Sequence, residues 1–79
     1  MFVYLLQSEA DPDQRYVGLA KDVHERLKAH NWGESPYTSK YRPWRLVMYL
    51  WFSEKKRAAD FEKYLKSGSG QAFANKRFW

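Results

Sequence analysis

The chain has 79 residues, a net charge of +5 and no cysteine. Its length predicts one domain over residues 1–79 with a small core. Aromatic residues make up 19% of the composition, and their large side chains increase the area that this core can bury. The lack of cysteine excludes disulfides and thiolate metal sites, and it fits a reducing compartment. The longest strongly apolar run, residues 46–52, is too short to span a bilayer, and no secretory signal is visible. We therefore expect a soluble, cytoplasmic protein with no membrane attachment.

The charge is unevenly distributed along the chain. Residues 1–39 hold four basic and six acidic residues, whereas residues 40–79 hold ten and three. The basic half indicates either a surface that faces a polyanion or an ordinary solvated surface. Cations and aromatic residues alternate between Lys40 and Arg45, as in many nucleic-acid sites, but a core would explain the aromatic residues equally well.

The first half of the chain predicts a hairpin followed by a helix. Residues 2–7 and 15–19 are two short β-rich runs, and turn-forming residues lie between them. Asp22, with Glu25 three positions later, resembles a capping box, which predicts a helix from Val23 to about Asn31, before Gly33. We expect residues 33–43 to form a loop.

The second half predicts a buried strand and two helices. Residues 44–52 are almost continuously apolar, which favours a strand covered on both faces. Ser53 is expected to cap a helix that runs to about Lys66 and is ended by Gly68 and Gly70, and residues 71–78 predict a short third helix. The expected fold is α+β (α/β), a small three-stranded antiparallel sheet flanked by helices in the order β-β-α-β-α-α.

Two charged residues occupy helical positions where the spacing predicts apolar side chains. Arg26 shares a helix face with Val23, Leu27 and His30, and Glu62 shares one with Ala58, Phe61 and Leu65. A charge at the edge of a core costs free energy unless it is paired, hydrogen-bonded or bound to a metal, and that arrangement is typical of a functional site. The ordinary alternative for Arg26 is an ion pair with Asp22 or Glu25.

Taken together, these residues resemble the GIY-YIG nucleases, specifically small single-domain members related to the amino-terminal nuclease domain of the excision-repair endonuclease UvrC. The resemblance covers essentially the whole chain. Its motifs are Phe2-Val3-Tyr4, Tyr16-Val17-Gly18, the helix with Arg26 and His30, Tyr41-Arg42-Pro43-Trp44, and residues 61–68. Phe2 replaces the glycine of the first family triplet. Asn75 is the candidate for an asparagine found near the end of the family site.

The resemblance implies a metal-dependent DNA endonuclease, structure-selective and linked to DNA repair or recombination. Glu62 would hold one divalent cation, Mg²⁺ or Mn²⁺, together with substrate oxygens. Arg26 would bind the scissile phosphate through its planar fork, and one of Tyr4 and Tyr16 would orient or deprotonate the attacking water. His30 would accept the tyrosyl proton or anchor the hydroxyl. The ordinary alternative for each tyrosine is a ring packed in the core with its hydroxyl at the solvent.

Further residues are expected to support the reaction. Gly18 would allow close backbone approach at a strand end. The candidates for contacting flanking DNA phosphates are Lys40, Arg42, Arg45 and Lys66. We expect DNA as a partner. Because no separate DNA-binding domain is visible, three alternatives stay open: a partner protein, a homodimer, or very weak, structure-selective DNA binding. The alternatives are a non-catalytic nucleic-acid-binding module on the same scaffold and a protein-interaction domain.

Overall fold

Three antiparallel strands form one sheet in the computed structural model, which describes residues 1–79. The elements in chain order are β1 (Phe2–Ser8), β2 (Arg15–Ala20), α1 (Val23–Trp32), α2 (Pro36–Lys40), β3 (Trp44–Trp51), α3 (Lys55–Leu65) and α4 (Gly68–Arg77). The strand order is β2-β1-β3, so β1 is the central strand. The predicted α+β fold with a three-stranded antiparallel sheet is confirmed. None of the four helices is long and apolar enough to cross a membrane.

The side chains of β1 alternate between two cores, one on each face of the sheet. Val3 and Leu5 pack with apolar residues of α3 and α4, and this side is called the α3/α4 face. Tyr4 and Leu6 pack with Val23 of α1 and with Trp44, and this side is called the α1 face. The central strand therefore contributes to an apolar core on each face, and the core on the α1 face includes a buried tyrosine.

Helix α1 forms where its capping signals predict it. The Asp22 carboxylate accepts a hydrogen bond from the Glu25 backbone N–H at 3.1 Å. Gly33 ends the helix in the left-handed region at φ 88°, a conformation that glycine adopts without strain. Both signals are local, and the predicted helix is confirmed.

The expected loop over residues 33–43 is wrong in its middle, where α2 forms. Ser35 lies at the N-cap position and Pro36 in the first turn, where a missing N–H is tolerated. The helix is held by tertiary contacts, because Thr38 is fully buried and its carbonyl oxygen accepts the Trp44 indole N–H at 2.7 Å. Five residues are too few to show a helical periodicity in the sequence.

The expectation that both faces of β3 are covered is wrong, because large side chains of this edge strand are exposed. Tyr49 is 47% exposed and Trp51 is 64% exposed. The central position belongs to β1, which pairs with both neighbours. A continuous apolar run indicates a strand but does not show which partners pair with it.

The predicted start of α3 is wrong, whereas its predicted end near Lys66 is confirmed. Ser53 does not cap the helix, which begins at Lys55 with Glu54 in the N-cap position. Gly68 and Gly70 lie in the first turn of α4, where the Ser67 hydroxyl accepts the Gly70 N–H at 3.2 Å. The absence of a side chain at Gly70 lets this turn press against the Tyr64 carbonyl. Ser67 and the two glycines therefore follow the end of α3 and also form the start of α4.

Gly18 lies opposite Tyr4 in the sheet, and the Tyr4 ring covers it. A Cβ at position 18 would collide with the Tyr4 hydroxyl. We expect Gly18→Ala to lower the free energy of unfolding by about 1–3 kcal/mol through overpacking, as measured by urea denaturation. Gly68→Ala is the matched control, because a Cβ there meets nothing within 4 Å and alanine favours a helix. Equal stability of Gly18→Ala and the wild type would contradict this account of Gly18.

Candidate active site

A chain of buried hydrogen bonds joins β1, α1 and α2 on the α1 face. The Tyr4 hydroxyl lies 2.9 Å from His30 Nε2, and His30 Nδ1 lies 2.9 Å from Thr38 Oγ1. Each of the three residues is at most 1% exposed. Tyr4 and His30, two of the residues singled out in the sequence, are therefore in direct contact.

Tyr16 lies beside this pair on β2. Its ring centroid is 6.1 Å from that of Tyr4 and 4.7 Å from that of His30, in an edge-on arrangement. On its other side Tyr37 of α2 stacks at 6.3 Å. Tyr16 is thus held in an aromatic cluster, a stabilising arrangement for such rings.

A cleft of about 410 Å³ opens beside β2, between this strand and α4. Its lining includes Tyr16, Tyr37, Lys66, Asn75 and Trp79. Tyr4 does not line the cleft and is buried. A ligand in the cleft can therefore contact the phenol of Tyr16, while Tyr4 lies in the interior.

Burial and the Arg26 charge set the protonation of the buried pair. Burial raises the pKa of Tyr4, and the nearby Arg26 guanidinium offsets part of that rise. Burial lowers the pKa of His30, and the Arg26 charge lowers it further, against an opposing contribution from Glu34. The phenol and the imidazole are accordingly both neutral at pH 7.

Arg26 is solvent-exposed and has no ion-pair partner on its own helix. Glu25 pairs with Lys28 at 3.5 Å, and the Asp22 carboxylate caps the helix. The structure does not contain the ordinary alternative of an ion pair with either carboxylate. The Tyr4 phenol is the largest cause of a raised pKa of Arg26. The guanidinium is charged and remains available for an anion.

Glu62 lies on α3, against the opposite face of the sheet from Tyr4. Its side chain is 19% exposed, and Oε2 accepts a hydrogen bond from Lys66 Nζ at 2.6 Å. Lys66 in turn lines the cleft beside β2. The structure therefore brings Tyr4, Tyr16, Arg26 and His30 together and connects Glu62 to the cleft through Lys66.

The remaining residues singled out in the sequence lie at separate places. Asn75 lines the cleft and accepts a hydrogen bond from Arg15 at 2.6 Å. The exposed Arg45 donates to Gln7 at 2.7 Å. Lys40 is the last residue of α2, Arg42 lies between α2 and β3, and both are exposed. Of the four candidates for phosphate contacts, only Lys66 lies in the cleft wall.

Residues that sequence patterns did not single out also build this region. Thr38 completes the buried hydrogen-bond chain, and Tyr37 stacks on Tyr16. The Asn31 side chain clamps Trp44, donating to its carbonyl at 3.1 Å and accepting its N–H at 2.6 Å. The only sequence signal was a Tyr-Thr pair after Pro36, within a segment predicted as loop.

The structure contains no cluster of metal-ligating side chains. No group of three or more histidine, cysteine, aspartate or glutamate residues lies close enough together to hold an ion. Mg²⁺ commonly uses one or two carboxylates and takes further oxygens from water and substrate phosphate. The Glu62 carboxylate fits that requirement, although Lys66 occupies one of its oxygens.

The GIY-YIG catalytic domain family matches residues 1–77 of the chain. The match spans the sheet, the tyrosines, Arg26, His30 and Glu62. The chain therefore belongs to the GIY-YIG nuclease family, and its domain is that of the GIY-YIG-type endonucleases.

Three known proteins are similar in sequence to this chain. Structure-specific endonuclease subunit SLX1 of Scheffersomyces stipitis is 40% identical over 68 residues, which cover 76% of this chain and 20% of that protein. UPF0213 protein YazA of Bacillus subtilis is 40% identical over 52 residues, with 65% of this chain and 52% of the relative covered. UPF0213 protein CPE1444 of Clostridium perfringens is 33% identical over 66 residues, with 82% and 69% covered. The chain thus spans a fifth and about half of the first two relatives, and no solved structure matches it.

The lowered pKa of His30 predicts a stability loss on acidification. The unfolded chain titrates His30 near its ordinary pKa of 6.5, so below that pH the unfolded state binds more protons than the folded state. The contribution is complete above pH 6.5 and is lost as the pH falls toward the folded pKa, with a slope of at most about 1.4 kcal/mol per pH unit. Urea denaturation between pH 7.5 and 5 should show this slope in the wild type and in His24→Gln, which alters an exposed histidine. His30→Gln should lack it, and equal slopes in all three proteins would contradict a neutral, buried His30.

Proposed function

We propose that this domain is a metal-dependent, structure-selective DNA endonuclease that acts in DNA repair or recombination. The observation that carries the proposal is the arrangement of Tyr16 on the cleft in front of the buried Tyr4–His30 pair, next to an Arg26 without a carboxylate partner. Membership of the GIY-YIG family supports the reaction class. These residues supply what phosphodiester hydrolysis needs, an anion-binding cation and a route for a proton.

Arg26 binds the scissile phosphate in this proposal. Its fork of donors matches two phosphate oxygens and stays charged at any working pH. The guanidinium therefore stabilises the negative charge that builds on these oxygens as the water attacks. Three exposed cations contact flanking phosphates and position the DNA without reading its sequence. They are Lys40, Arg42 and Arg45.

Tyr16 receives the proton of the attacking water. The Tyr16 proton passes to the adjacent Tyr4, and the Tyr4 proton passes to His30 Nε2, which lies 2.9 Å away. The water oxygen bonds to phosphorus, the bond from phosphorus to the leaving oxygen breaks, and that oxygen takes a proton from solvent. A phenol with an ordinary pKa near 10 is a weak base at pH 7, so the neutral imidazole provides the acceptor that a single tyrosine lacks.

Glu62 holds the divalent cation, Mg²⁺ or Mn²⁺, and a metal ion there would polarise a phosphoryl oxygen. Lys66 must first release the carboxylate, because its ammonium lies 2.6 Å from Oε2. Binding of DNA favours this release, since a phosphate in the cleft offers Lys66 another anion. The free protein should therefore bind metal weakly.

The relative SLX1 is named a subunit of a structure-specific endonuclease, and this chain matches a fifth of it. We propose by analogy that this domain recognises DNA structure and acts with a partner protein or as a homodimer. The extents of the domain, 29 × 25 × 18 Å, leave little surface for reading a long sequence. Backbone contacts and shape would then determine the choice of substrate.

The Lys66–Glu62 ion pair favours one alternative, a nucleic-acid-binding module that does not cleave. A carboxylate already neutralised by lysine needs no metal to compensate for its burial. In that case the cleft would hold DNA with Glu62 serving only the structure.

Cleavage assays separate the two functions. The substrates are labelled single-stranded, duplex, flap and four-way-junction DNA in Mg²⁺ or Mn²⁺. We expect the wild type to cleave, and we expect Arg26→Ala and Glu62→Gln each to lower kcat by roughly 10²–10³-fold, with DNA affinity largely kept in Glu62→Gln. Asp60→Asn is the matched control for Glu62, because Asp60 forms an exposed i,i+4 pair with Lys56 on the same helix. Absence of cleavage by a folded, DNA-binding wild type would favour the binding module.

Metal binding to the free protein tests the role of Glu62 independently of cleavage. We expect Lys66→Met to raise Mn²⁺ affinity by roughly fivefold, which corresponds to about 1 kcal/mol for a partly exposed ion pair. Glu62→Gln should abolish the binding measured by electron paramagnetic resonance. Lys56→Met, which breaks the exposed pair with Asp60, should have no effect. An unchanged affinity in Lys66→Met would mean that the lysine does not compete for the carboxylate.

A further inference from the structure

Thr38 lies at the inner end of the hydrogen-bond chain, where its hydroxyl has two partners. Oγ1 is 2.9 Å from His30 Nδ1 and 3.4 Å from the Ser35 carbonyl oxygen. A hydroxyl has one proton to donate and lone pairs that accept. The Ser35 carbonyl can only accept, so it takes the Thr38 proton. The Thr38 lone pair is then directed at Nδ1, and His30 carries its proton there.

The outer end of the chain fits this arrangement. The Tyr4 hydroxyl lies 2.9 Å from His30 Nε2. With the His30 proton on Nδ1, Nε2 is an acceptor, so the Tyr4 hydroxyl donates to it.

The position of Thr38 is fixed from the backbone as well. Its carbonyl oxygen accepts the Trp44 indole N–H at 2.7 Å, and the Asn31 side chain holds the Trp44 backbone at both its N–H and its carbonyl. Thr38 is fully buried, and its branched side chain has few available rotamers. The hydroxyl is therefore held at one distance and direction from the imidazole.

From this geometry we propose that Thr38 is a positioning residue for phosphodiester hydrolysis, holding His30 in the tautomer with the proton on Nδ1 and leaving Nε2 free to accept the Tyr4 proton. The role rests on the proposed endonuclease function, but the tautomer is a property of the free protein. Thr38 acts through His30 and touches neither DNA nor metal. The hydrogen-bond partner of one ring nitrogen generally determines the tautomer of a histidine, and Thr38 is that partner for His30.

The tautomer is measurable by nuclear magnetic resonance on protein labelled with ¹⁵N-histidine, without DNA. The chain has two histidines, and the exposed His24 is an internal reference. We expect His30 to carry its proton on Nδ1 in the wild type and in Thr38→Ser, which keeps the hydroxyl. In Thr38→Val the Nδ1 proton would be buried without an acceptor, which is unfavourable, so the equilibrium should move toward the Nε2-protonated form. A wild-type His30 protonated on Nε2 would overturn the proposal, and this measurement requires no variant to fold.

Cleavage kinetics test the consequence for the reaction. We expect Thr38→Val to lower kcat by about 10²-fold or more, the usual contribution of a positioned acid or base, with KM unchanged. Thr38→Ser should recover kcat to within a few-fold of the wild type. Wild-type kcat in a folded Thr38→Val would overturn the positioning role. Absence of cleavage in the wild type despite the expected tautomer would instead refute the endonuclease function, and with it the role of Thr38 in a reaction.

Discussion

The hydrogen-bond chain from Tyr4 through His30 to Thr38 is the constraint to which the α1 face is fitted. Burying a phenol, an imidazole and a hydroxyl in a domain of 79 residues costs free energy unless every polar atom has a hydrogen-bond partner. No buried side-chain nitrogen or oxygen in the structure lacks such a partner. These hydrogen bonds require β1, α1 and α2 to meet at fixed distances. They also require room for the Tyr4 ring, which Gly18 on the neighbouring strand provides.

The two faces of the sheet differ in polarity. On the α3/α4 face, Val3 and Leu5 pack against apolar helical residues, and their burial stabilises the fold. The α1 face also buries apolar residues, Leu6 and Val23 among them, but it carries the polar groups of the hydrogen-bond chain as well. The cleft lies beside β2, an edge strand, where residues from both faces can reach the same space. Tyr16 enters this space from the α1 face and Lys66 from α3, and Lys66 connects its ion-pair partner Glu62 to the cleft from the opposite side of the sheet.

Local signals were sufficient for part of this structure and insufficient for the rest. The cap at Asp22 and the glycine at position 33 act within one turn of their own helix, so α1 could be predicted from the sequence. Helix α2 depends on a hydrogen bond from Trp44 to Thr38, and the edge position of β3 depends on pairing; neither is written in a local pattern. A charge in an apolar stripe identified both Arg26 and Glu62, but it could not distinguish an unpaired, exposed guanidinium from a carboxylate neutralised by Lys66. The Tyr-Thr pair after Pro36 was too weak a signal to single out Thr38, because the importance of Thr38 comes from a histidine eight positions away.

The position of Arg26 next to the buried pair couples substrate binding to proton transfer, if the proposed function holds. In the free protein the guanidinium helps to lower the pKa of His30, which makes the imidazole a weak base. A phosphate bound to Arg26 brings negative charge beside the same ring and counteracts that effect. The imidazole then becomes more basic when the scissile phosphate is in place, while the Tyr4 hydroxyl is already directed at it. Burial is the larger cause of the lowered His30 pKa and the Arg26 charge adds to it, so in the proposed function DNA binding would remove the second contribution and leave the first.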